Sequence, residues 1–414
     1  MKKTISVLFL IFCLFSSCMP TFNEVSRTVS SPEASFSLPS TTLLLLDPQF
    51  DTEEFLPDFD FHNEFGKWKQ MCESDQAYYL FSSNNSFLHY YDKQSGLSGI
   101  LCGKPECSHS DISCNAYLAG GGDLMFYDGY IYWVQQGNSL LRINPDGTKR
   151  ENVQSLQGGV SSSVFLHRGY IYCIQSVSSV IDGESQNIIR LTQQVLGDAE
   201  QAPVTIVETT GKDYYYQAAG NTIYLVVQDY TRSDDSAVIS STVLLYSYDS
   251  ASGTLALLAQ DAIENNYLIH DMRYIDGILY FSACDSQYQS SSLSQYDPDS
   301  KSIIQLLQLD VPMMLPEIGP NYILYGAGRE HPAYHIVDFE GNLIREGELL
   351  EGMDIPGDWT YETKMLAEDQ ILILLNDFRF ELEDSLKNPS RVMQVPLDPS
   401  EPVCSMLTIE PRMQ

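Results

Sequence analysis

The chain has 414 residues, of which 55 are acidic and 23 are basic, so its formal net charge at pH 7 is −32. A surface this acidic repels polyanions at long range, which argues against nucleic acid as a partner and disfavours acidic polysaccharides and anionic lipid head groups. Neutral glycans, cations and basic peptides remain compatible with this charge as partners. The alternative is that the charge only keeps an extracellular protein soluble.

The first residues have the layout of a secretory signal. Lys2 and Lys3 precede an apolar run, Thr4 to Phe15, that is too short for a comfortable membrane span. The run leads into "FSSC", which resembles the lipobox of bacterial lipoproteins, where the peptide is cut before a cysteine that is then lipidated. We therefore expect residues 1–17 to be a lipoprotein signal peptide and Cys18 to carry the lipid anchor. The alternative is an ordinary signal peptide followed by an incidental cysteine.

Residues 18–40 are rich in Ser, Thr and Pro and lack helical or strand periodicity, which predicts a flexible tether. The remaining residues, 41–414, are expected to form a single folded domain. Its apolar opening, "TTLLLLDPQF" at 41–50, is a candidate for a strand that closes the fold by pairing with strands from the other terminus. The expected location is extracytoplasmic, with membrane contact through the lipid anchor only.

A short motif recurs along the domain. Its clearest copies are "YDGYIYW" at 127–133, "HRGYIYC" at 167–173 and "YIDGILYF" at 274–281. In each copy a turn is followed by alternating aromatic and β-branched residues, which predicts a strand entered from a tight turn. Further copies lie at 74–81, 218–226, 319–326 and 367–374.

A second hairpin follows most copies, as in "LLRINPDGTKRE" at 140–151. The pair recurs at intervals of roughly 40 to 56 residues, which leaves room for about four strands and is typical of β-propeller blades. Seven units begin near residues 74, 125, 166, 217, 273, 318 and 366. They predict an all-β propeller of seven blades, with six or eight as alternatives because the units are uneven. The polar stretches 176–190 and 228–243 predict loops or long hairpins that project from one face.

The run "MFYDGYIYWVQQGNSLLRINPDGTKREN" at 125–152 resembles the blades of lipoprotein-type propellers found in anaerobic Firmicutes. Their repeats read "DGYIYY…LYRINPDGT" and look similar to the YWTD-type propellers of lipoprotein receptors. The resemblance is strong over residues 125–151 and weaker elsewhere. It implies a propeller and an envelope location, but no chemistry, because these proteins are usually of unassigned function.

Ligand-type side chains are concentrated in "CGKPECSHSDISCN" at 102–115, where Cys102, Cys107, His109 and Cys114 follow the spacing C-x4-C-x-H-x4-C. Thiolates and imidazole are the ligands that zinc prefers, and four of them make a closed structural site. The alternatives are a disulfide, with Cys72 as one partner for the odd cysteine, and free thiols with redox chemistry. A metal or a disulfide would make this segment a structural staple between the first two blades.

The other reactive side chains are scattered. In "EHPAYH" a strand would place His331 and His335 on one face about 13 Å apart, which is too far to share a metal. Cys173 and Cys284 fall in strand copies and are predicted to be buried apolar residues. The acidic turns "DPDSK" and "NPDGT" are predicted to be ordinary turns rather than calcium loops.

The fold predicts a non-enzymatic module, expected to be monomeric, that binds a protein, a peptide or a neutral glycan at one face. The sequence does not single out the ligand-binding residues, and it predicts no cofactor beyond the candidate structural zinc. The alternative is a propeller-type glycan lyase or hydrolase, which would need polar groups from several blades to converge. A meeting of three or more of five histidines on one face would favour that enzyme; they are His89, His167, His270, His331 and His335.

Overall fold

The computed structural model describes residues 47–410, except for 62–69, 83–85, 119–121, 136–138, 157–161, 182–183, 233–237, 263–266, 286–289, 310–315, 327–332, 350–358 and 378–388. The predicted signal peptide, Cys18 and the tether lie outside the described residues. No helix in the described part of the chain is long and apolar enough to cross a membrane.

The described residues form seven antiparallel sheets of four strands each, which confirms the predicted seven-bladed, all-β propeller. A 3-10 turn at Pro48–Phe50 precedes the blades. The strands of blades 1 to 4 are β1 (Met71–Glu73), β2 (Ala77–Ser82), β3 (Phe87–Asp92), β4 (Ser98–Ile100), β5 (Leu124–Tyr127), β6 (Tyr130–Gln135), β7 (Ser139–Ile143), β8 (Glu151–Ser155), β9 (Ser162–His167), β10 (Tyr170–Ile181), β11 (Glu184–Val195), β12 (Val204–Thr210), β13 (Asp213–Ala219), β14 (Thr222–Arg232), β15 (Val238–Asp249) and β16 (Thr254–Ala262). The strands of blades 5 to 7 are β17 (Tyr267–Ile275), β18 (Ile278–Asp285), β19 (Ser291–Asp297), β20 (Ser302–Leu309), β21 (Pro316–Ile318), β22 (Ile323–Gly326), β23 (Ala333–Val337), β24 (Leu343–Glu348), β25 (Trp359–Leu366), β26 (Gln370–Asp377), β27 (Ser390–Pro396) and β28 (Cys404–Ile409).

The recurring motif forms the turn between the first and second strands of each blade. In blade 2, Tyr127 pairs with Tyr130 across the two-residue turn Asp128-Gly129, whose φ angles are 47° and 72°. Positive φ at both central residues is the type I′ geometry, whose twist matches the flanking strands. Because each motif copy begins at this turn, the predicted start of each unit lies after the start of the blade's first strand.

The core lies between neighbouring blades. The first strands of successive blades contact one another, for example β1 with β5 and β13 with β17, so these strands are innermost. Aromatic rings fill the space between blades: the ring centroids of Phe81 and Trp133 are 4.4 Å apart, and those of Phe165 and Tyr216 are 4.7 Å apart. A single four-stranded blade cannot bury both of its faces, and this stacking buries them.

The predicted closing strand is wrong for the part that the structure describes. Pro48–Phe50 forms a 3-10 turn, and residues 41–46 lie outside the described residues. The four strands of blade 7 are consecutive in sequence and all lie between residues 359 and 409. The ring therefore closes through contacts between blades 7 and 1, such as the 2.7 Å hydrogen bond between the Ser82 and Ser390 hydroxyls.

The two polar stretches predicted as loops or long hairpins are long hairpins. In blade 3, β10 and β11 continue past their last pairing with β9 and β12 as a two-stranded ribbon over residues 178–181 and 184–187. In blade 4, β14 and β15 do the same over residues 230–232 and 238–241. We call these segments the two ribbons. They leave the ends of the second strands that are opposite the motif turns, so ribbons and motif turns lie on opposite faces of the propeller.

Candidate metal centre

The four predicted ligands lie in the connection between β4 of blade 1 and β5 of blade 2. We call residues 101–118 of this connection the cluster loop. The loop is tied to blade 1 near the start of β3, because Leu88 N–H donates to the Ala116 carbonyl and Leu118 N–H donates to the Ser86 carbonyl, at 2.8 and 2.9 Å. Its other side contacts the outer hairpin of blade 2. The loop therefore joins two blades, as the sequence predicted.

Close backbone contact holds the loop against the "NPDGT" turn between β7 and β8. Gly103 N–H donates to the Gly147 carbonyl at 3.0 Å, and the Asn115 amide donates to the same carbonyl at 2.9 Å. A Cβ atom on Gly147, whose φ is +75°, would lie only 2.7 Å from the backbone nitrogens of Cys102 and Gly103. Glycine is thus required here both by the turn and by the approach of the loop.

Arg150, immediately before the last strand of blade 2, holds the second half of the loop. Its Nη1 donates to the carbonyls of Cys114 and Tyr117, at 3.0 and 2.5 Å, and its Nη2 donates to the Ile112 carbonyl at 3.0 Å. These bonds satisfy carbonyl groups of an irregular segment that has no strand partner for them.

The ligand atoms of the cluster converge on one point. The Sγ atoms of Cys102, Cys107 and Cys114 and a ring nitrogen of His109 all lie within 4.8 Å of one another. His109 has a φ of +52°, and its Nδ1 is 3.4 Å from Cys114 Sγ. Ligands around a tetrahedral zinc with Zn–S bonds of about 2.3 Å are roughly 3.8 Å apart, so only a small contraction separates this geometry from a zinc site.

The surroundings of the cysteines act on their pKa values in opposite directions. Burial raises the pKa of the Cys114 thiol to about 12. Burial also tends to raise the pKa of Cys102, but the backbone N–H groups of Lys104 and Asn115 and the neighbouring thiols bring it below its usual value. The loop thus provides hydrogen-bond donors for thiolate at one of its cysteines, as a metal ligand needs.

This donor set can bind a soft or borderline metal ion. Three thiolates and an imidazole suit zinc, whereas manganese and calcium prefer oxygen ligands. Four protein ligands leave no coordination position for a water or a substrate, so such a site is structural.

The other cysteines lie apart from the cluster. Cys72, Cys173 and Cys284 are buried, which confirms the prediction for the last two, whereas Cys404 is exposed on β28. Among the described cysteines none forms a disulfide. Cys284 lies 2.9 Å from Nε2 of His270 in the same blade, and burial raises its thiol pKa to about 12.

The described histidines do not come together on one face. His89 is buried on β3 of blade 1, His167 is buried at the end of β9 of blade 3, and His270 lies on β17 of blade 5. His335 lies on β23 of blade 6, where its Nδ1 is 3.3 Å from a carboxylate oxygen of Glu346. His331 lies outside the described residues. In the described part of the chain, the condition that would have favoured the enzyme is not met.

Sequence reasoning missed a second anchoring site, on the motif-turn face. Residues 47–61, which we call the strap, cross the motif turns of blades 2 to 4. Arg168 is fully buried; its Nε and Nη2 donate to the two carboxylate oxygens of Asp60, at 2.6 and 3.0 Å. The same guanidinium donates to the carbonyls of Phe50, Thr52 and Glu54 and to the Asn221 side-chain oxygen.

His167 holds the end of the strap. Its Nδ1 accepts a 3.0 Å hydrogen bond from Phe61 N–H, and its Nε2 lies 2.8 Å from the Gly220 carbonyl, which fixes the neutral tautomer with hydrogen on Nε2. Burial lowers the pKa of His167 to about 4. One signal was present in the sequence: two other clear motif copies have Asp-Gly in the turn, whereas this copy has Arg168-Gly169, with Arg168 at a φ of +46°.

Solved structures with similar architecture share little sequence with this chain. A prolyl endopeptidase structure covers 86% of this chain at 10% identity with a TM-score of 0.51, and the chain spans 51% of that protein's length. An oligogalacturonate lyase in complex with manganese covers 77% of this chain and 88% of its own at 11% identity, with a TM-score of 0.45. YCF48 bound to D1 peptide covers 82% and 97% at 13% identity, with a TM-score of 0.46. No protein-family model matches the sequence, and no curated protein matches it either.

At these identities the likeness shows the propeller fold alone. The manganese belongs to the lyase, and the peptide belongs to YCF48. The comparisons give no support to the resemblance to Firmicutes lipoproteins, which stays a prediction from residues 125–152.

Proposed function

We propose that the protein is a membrane-anchored, non-enzymatic propeller that binds a protein, peptide or glycan partner through the face that bears the two ribbons. The observation that carries this proposal is the extension of two neighbouring blades, 3 and 4, beyond their four-stranded sheets on the same face. The extra length adds no blade and no core. It adds surface that projects from the ring, where propeller loops offer a combined binding surface.

The ribbons carry side chains suited to contact. On the blade 3 ribbon Val180 is 72% exposed. On the blade 4 ribbon the Tyr230 ring is near two cations, with Lys212 Nζ 4.8 Å and the Arg232 guanidinium 5.0 Å from its centroid. Tyr230 is half-buried, and an aromatic ring with two cations beside it is unusual on a chain with a net charge of −32.

Shortening a ribbon tests this role. Ser178 and Asn187 are paired residues, so replacing residues 179–186 by Asn-Gly leaves a two-residue hairpin that keeps the blade and the hydrogen bonds of Asn187 to Ser176 and Gly211. We expect this variant to keep its melting temperature and to lose partner capture, measured with a glycan array and with chemical crosslinking to envelope proteins.

Point substitutions supply the matched comparison. Val180→Asp should weaken capture, whereas Leu257→Asp, at an apolar residue of β16 that is 50% exposed, should leave it unchanged. If the ribbon-shortened protein still captures its partner undiminished, the binding surface lies elsewhere on the propeller and the proposal is contradicted.

The membrane anchor of the proposal is a lipid on Cys18. The apolar run of Thr4 to Phe15 and the following "FSSC" support it, as does the resemblance to lipoprotein-type propellers. Mass spectrometry of the mature N-terminus in a bacterial host should find an acylated Cys18, and Cys18→Ala should release the chain from the membrane fraction. An unmodified cysteine at the mature terminus, or cleavage elsewhere, would refute the anchor.

The cluster loop holds one structural zinc ion in this proposal, because four soft ligands converge within 4.8 Å. Elemental analysis of protein purified without added metal should find zinc near one equivalent. Cys107→Ser should lose it, and Cys404→Ser, a substitution of an exposed cysteine outside the cluster, should keep it. Absence of metal together with two thiols that resist alkylation under non-reducing conditions would identify the disulfide instead.

A further inference from the structure

A cavity of about 360 Å³ lies at the propeller axis on the motif-turn face, opposite the ribbons. Its walls are the ends of the innermost strands of blades 4 to 7, around residues 218–220, 273–276, 318–320 and 366, and the strap closes one side with Glu53 and Phe55. The volume falls at the lower end of the range for small-molecule pockets, which is about 300–1,000 Å³.

Arg273, on the innermost strand β17, lines this cavity and is only 6% exposed. Its Nε lies 3.4 Å from a carboxylate oxygen of Asp271, which is a long contact. That carboxylate is already engaged by the backbone N–H groups of Met272 and Ile318, at 2.9 and 3.0 Å. Among the described residues the two terminal nitrogens of Arg273 have no hydrogen-bond partner.

The other two buried arginines of the described chain are fully supplied with acceptors. Arg168 has the Asp60 carboxylate and a set of carbonyls. Arg345 donates to the Tyr334 hydroxyl and to the carbonyls of Pro396, Asp398 and Glu401, at 2.7 to 3.0 Å. A guanidinium carries five N–H donors, and the terminal nitrogens of Arg273 are not among the fully buried side-chain atoms that lack a partner, so they open onto the cavity. The exception at Arg273 therefore points to an acceptor that comes from outside the chain.

The charges around the cavity limit what that acceptor can be. On the adjacent innermost strand β21, Glu317 is paired with Lys364 at 2.6 Å, so it adds no net charge. At the rim, the exposed carboxylates of Glu53 and Asp276 have no ion-pair partner among the described residues. A dianion such as phosphate would meet these carboxylates on entry, whereas a ligand with one anionic and one cationic group would complement both ends.

We infer that the axial cavity binds a zwitterion of the amino-acid or dipeptide class, with its carboxylate on the Arg273 guanidinium and its ammonium group towards Glu53 and Asp276. Arginine binds carboxylates with two parallel hydrogen bonds, which matches the two unpaired terminal nitrogens. The site is separate from the proposed partner surface on the ribbons. Because the strap supplies Glu53 and Phe55, the anchoring of the strap by Arg168 also positions one wall of the site.

Isothermal titration calorimetry of the purified full chain tests the inference with alanyl-leucine, its N-acetyl form and its C-terminal amide. We expect the unblocked dipeptide to bind and each blocked form to bind at least about 10-fold more weakly, because each loses one charge-assisted interaction. Equal binding of all three, or no binding of the unblocked dipeptide up to about 1 mM, would overturn the inference.

Variants locate the binding. Arg273→Gln should abolish it, and Glu53→Gln, on the exposed rim where folding is not at risk, should weaken it about 10-fold. Arg142→Gln is the matched control, because Arg142 is a surface arginine paired with Glu151 at 2.5 Å, and it should leave binding unchanged. Unaltered binding by both Arg273→Gln and Glu53→Gln would place the dipeptide elsewhere and refute the site. Partner capture at the ribbons is measured separately, so failure here leaves that proposal standing.

Discussion

The strap and the cluster loop are both non-repeating segments that an arginine fastens to the propeller, but the two are held by different chemistry. Arg168 is fully buried and meets a carboxylate, Asp60, that comes from the strap itself. Arg150 is half-buried and meets only carbonyls of the cluster loop, whose convergent thiols and imidazole could hold a metal. A buried ion pair depends on nothing outside the chain, whereas a thiolate set depends on its metal.

The difference predicts separate vulnerabilities. The strap should respond to loss of charge and to acid, because a buried ion pair and a buried neutral histidine hold it. The cluster loop should respond to chelation and to changes in the turn against which it docks. The following predictions, from the largest expected effect to the smallest, test this separation.

Arg168→Met should lower the free energy of unfolding by about 3–5 kcal/mol, because it leaves the Asp60 carboxylate buried without its cation. Chemical denaturation measures the loss. Arg190→Met is the matched control in the same blade: Arg190 is a partly exposed arginine paired with Glu208 at 2.6 Å, and its substitution should cost less than about 1 kcal/mol. Equal losses for the two variants would mean that the strap is not held by its buried charge.

Acid should weaken the strap through His167. Its pKa is about 4 in the folded chain and 6.5 in the unfolded chain, so below pH 6.5 the unfolded chain takes up a proton that the folded chain does not. The stabilisation is complete above pH 6.5 and is lost as the pH falls towards 4, by about 3 kcal/mol in total.

His167→Gln should flatten this pH dependence, measured as the slope of the unfolding free energy between pH 4 and 6.5. His89, whose pKa burial also lowers to about 4, contributes a second, independent slope that this variant retains. An undiminished slope in His167→Gln would place the acid sensitivity outside the strap.

Gly147→Ala should loosen the cluster loop. It forces a non-glycine residue to a φ of +75° and brings its Cβ to 2.7 Å from the loop backbone. Gly129→Ala has the same backbone conformation, φ +72°, with nothing within 4 Å, and should cost only the left-handed strain of about 1–2 kcal/mol. The additional loss of unfolding free energy in Gly147→Ala, compared with Gly129→Ala, measures how strongly the cluster loop is docked on this turn. We expect this loss to be accompanied by a loss of zinc affinity of about 10-fold. Identical costs would show that the loop does not depend on this turn.

Chelation should have the smallest effect on the stability of the whole protein, and its effect should be confined to the cluster loop. Removing a zinc ion bound at the cluster should speed amide hydrogen exchange in residues 101–118 while residues 47–61 stay protected. The melting temperature should change little, because Cys114 is the one ligand of the four that is fully buried in the core. Hydrogen exchange with mass spectrometry reads both segments in one experiment. Deprotection of both segments together would show that they are not independent.

The local parts of this molecule were predictable. The turn motif lies at a hairpin in every blade, and in blades 2 and 5 its Asp-Gly pair adopts the positive φ that a two-residue hairpin turn needs. The four cluster ligands lie between residues 102 and 114, so close spacing alone brings them together. The predicted closing strand is wrong for Pro48–Phe50, which forms a 3-10 turn, whereas its apolar run at 41–46 lies outside the described residues; blade 7 supplies its own four strands.

The strap could not be predicted in the same way. Asp60 and Arg168 are 108 positions apart, and Phe61 and His167 are 106 apart, with no sequence pattern to connect them. The only local sign was a residue that breaks the repeat, Arg168 in a turn where Asp128 and Asp276 stand in other blades. Departures from a repeat are informative because the repeat itself is explained by packing.

The sequence by itself determined the strands, the turns, the number of blades and the convergence of the cluster ligands, since these follow from backbone preferences and spacings that act within one blade or one loop. Only the tertiary structure decided how the ring closes, which segment covers the motif-turn face and which buried arginine lacks acceptors. The reason is physical: whether a buried guanidinium is satisfied depends on groups that distant parts of the chain bring to it, as Asp60 is brought to Arg168 and as no described residue is brought to the terminal nitrogens of Arg273.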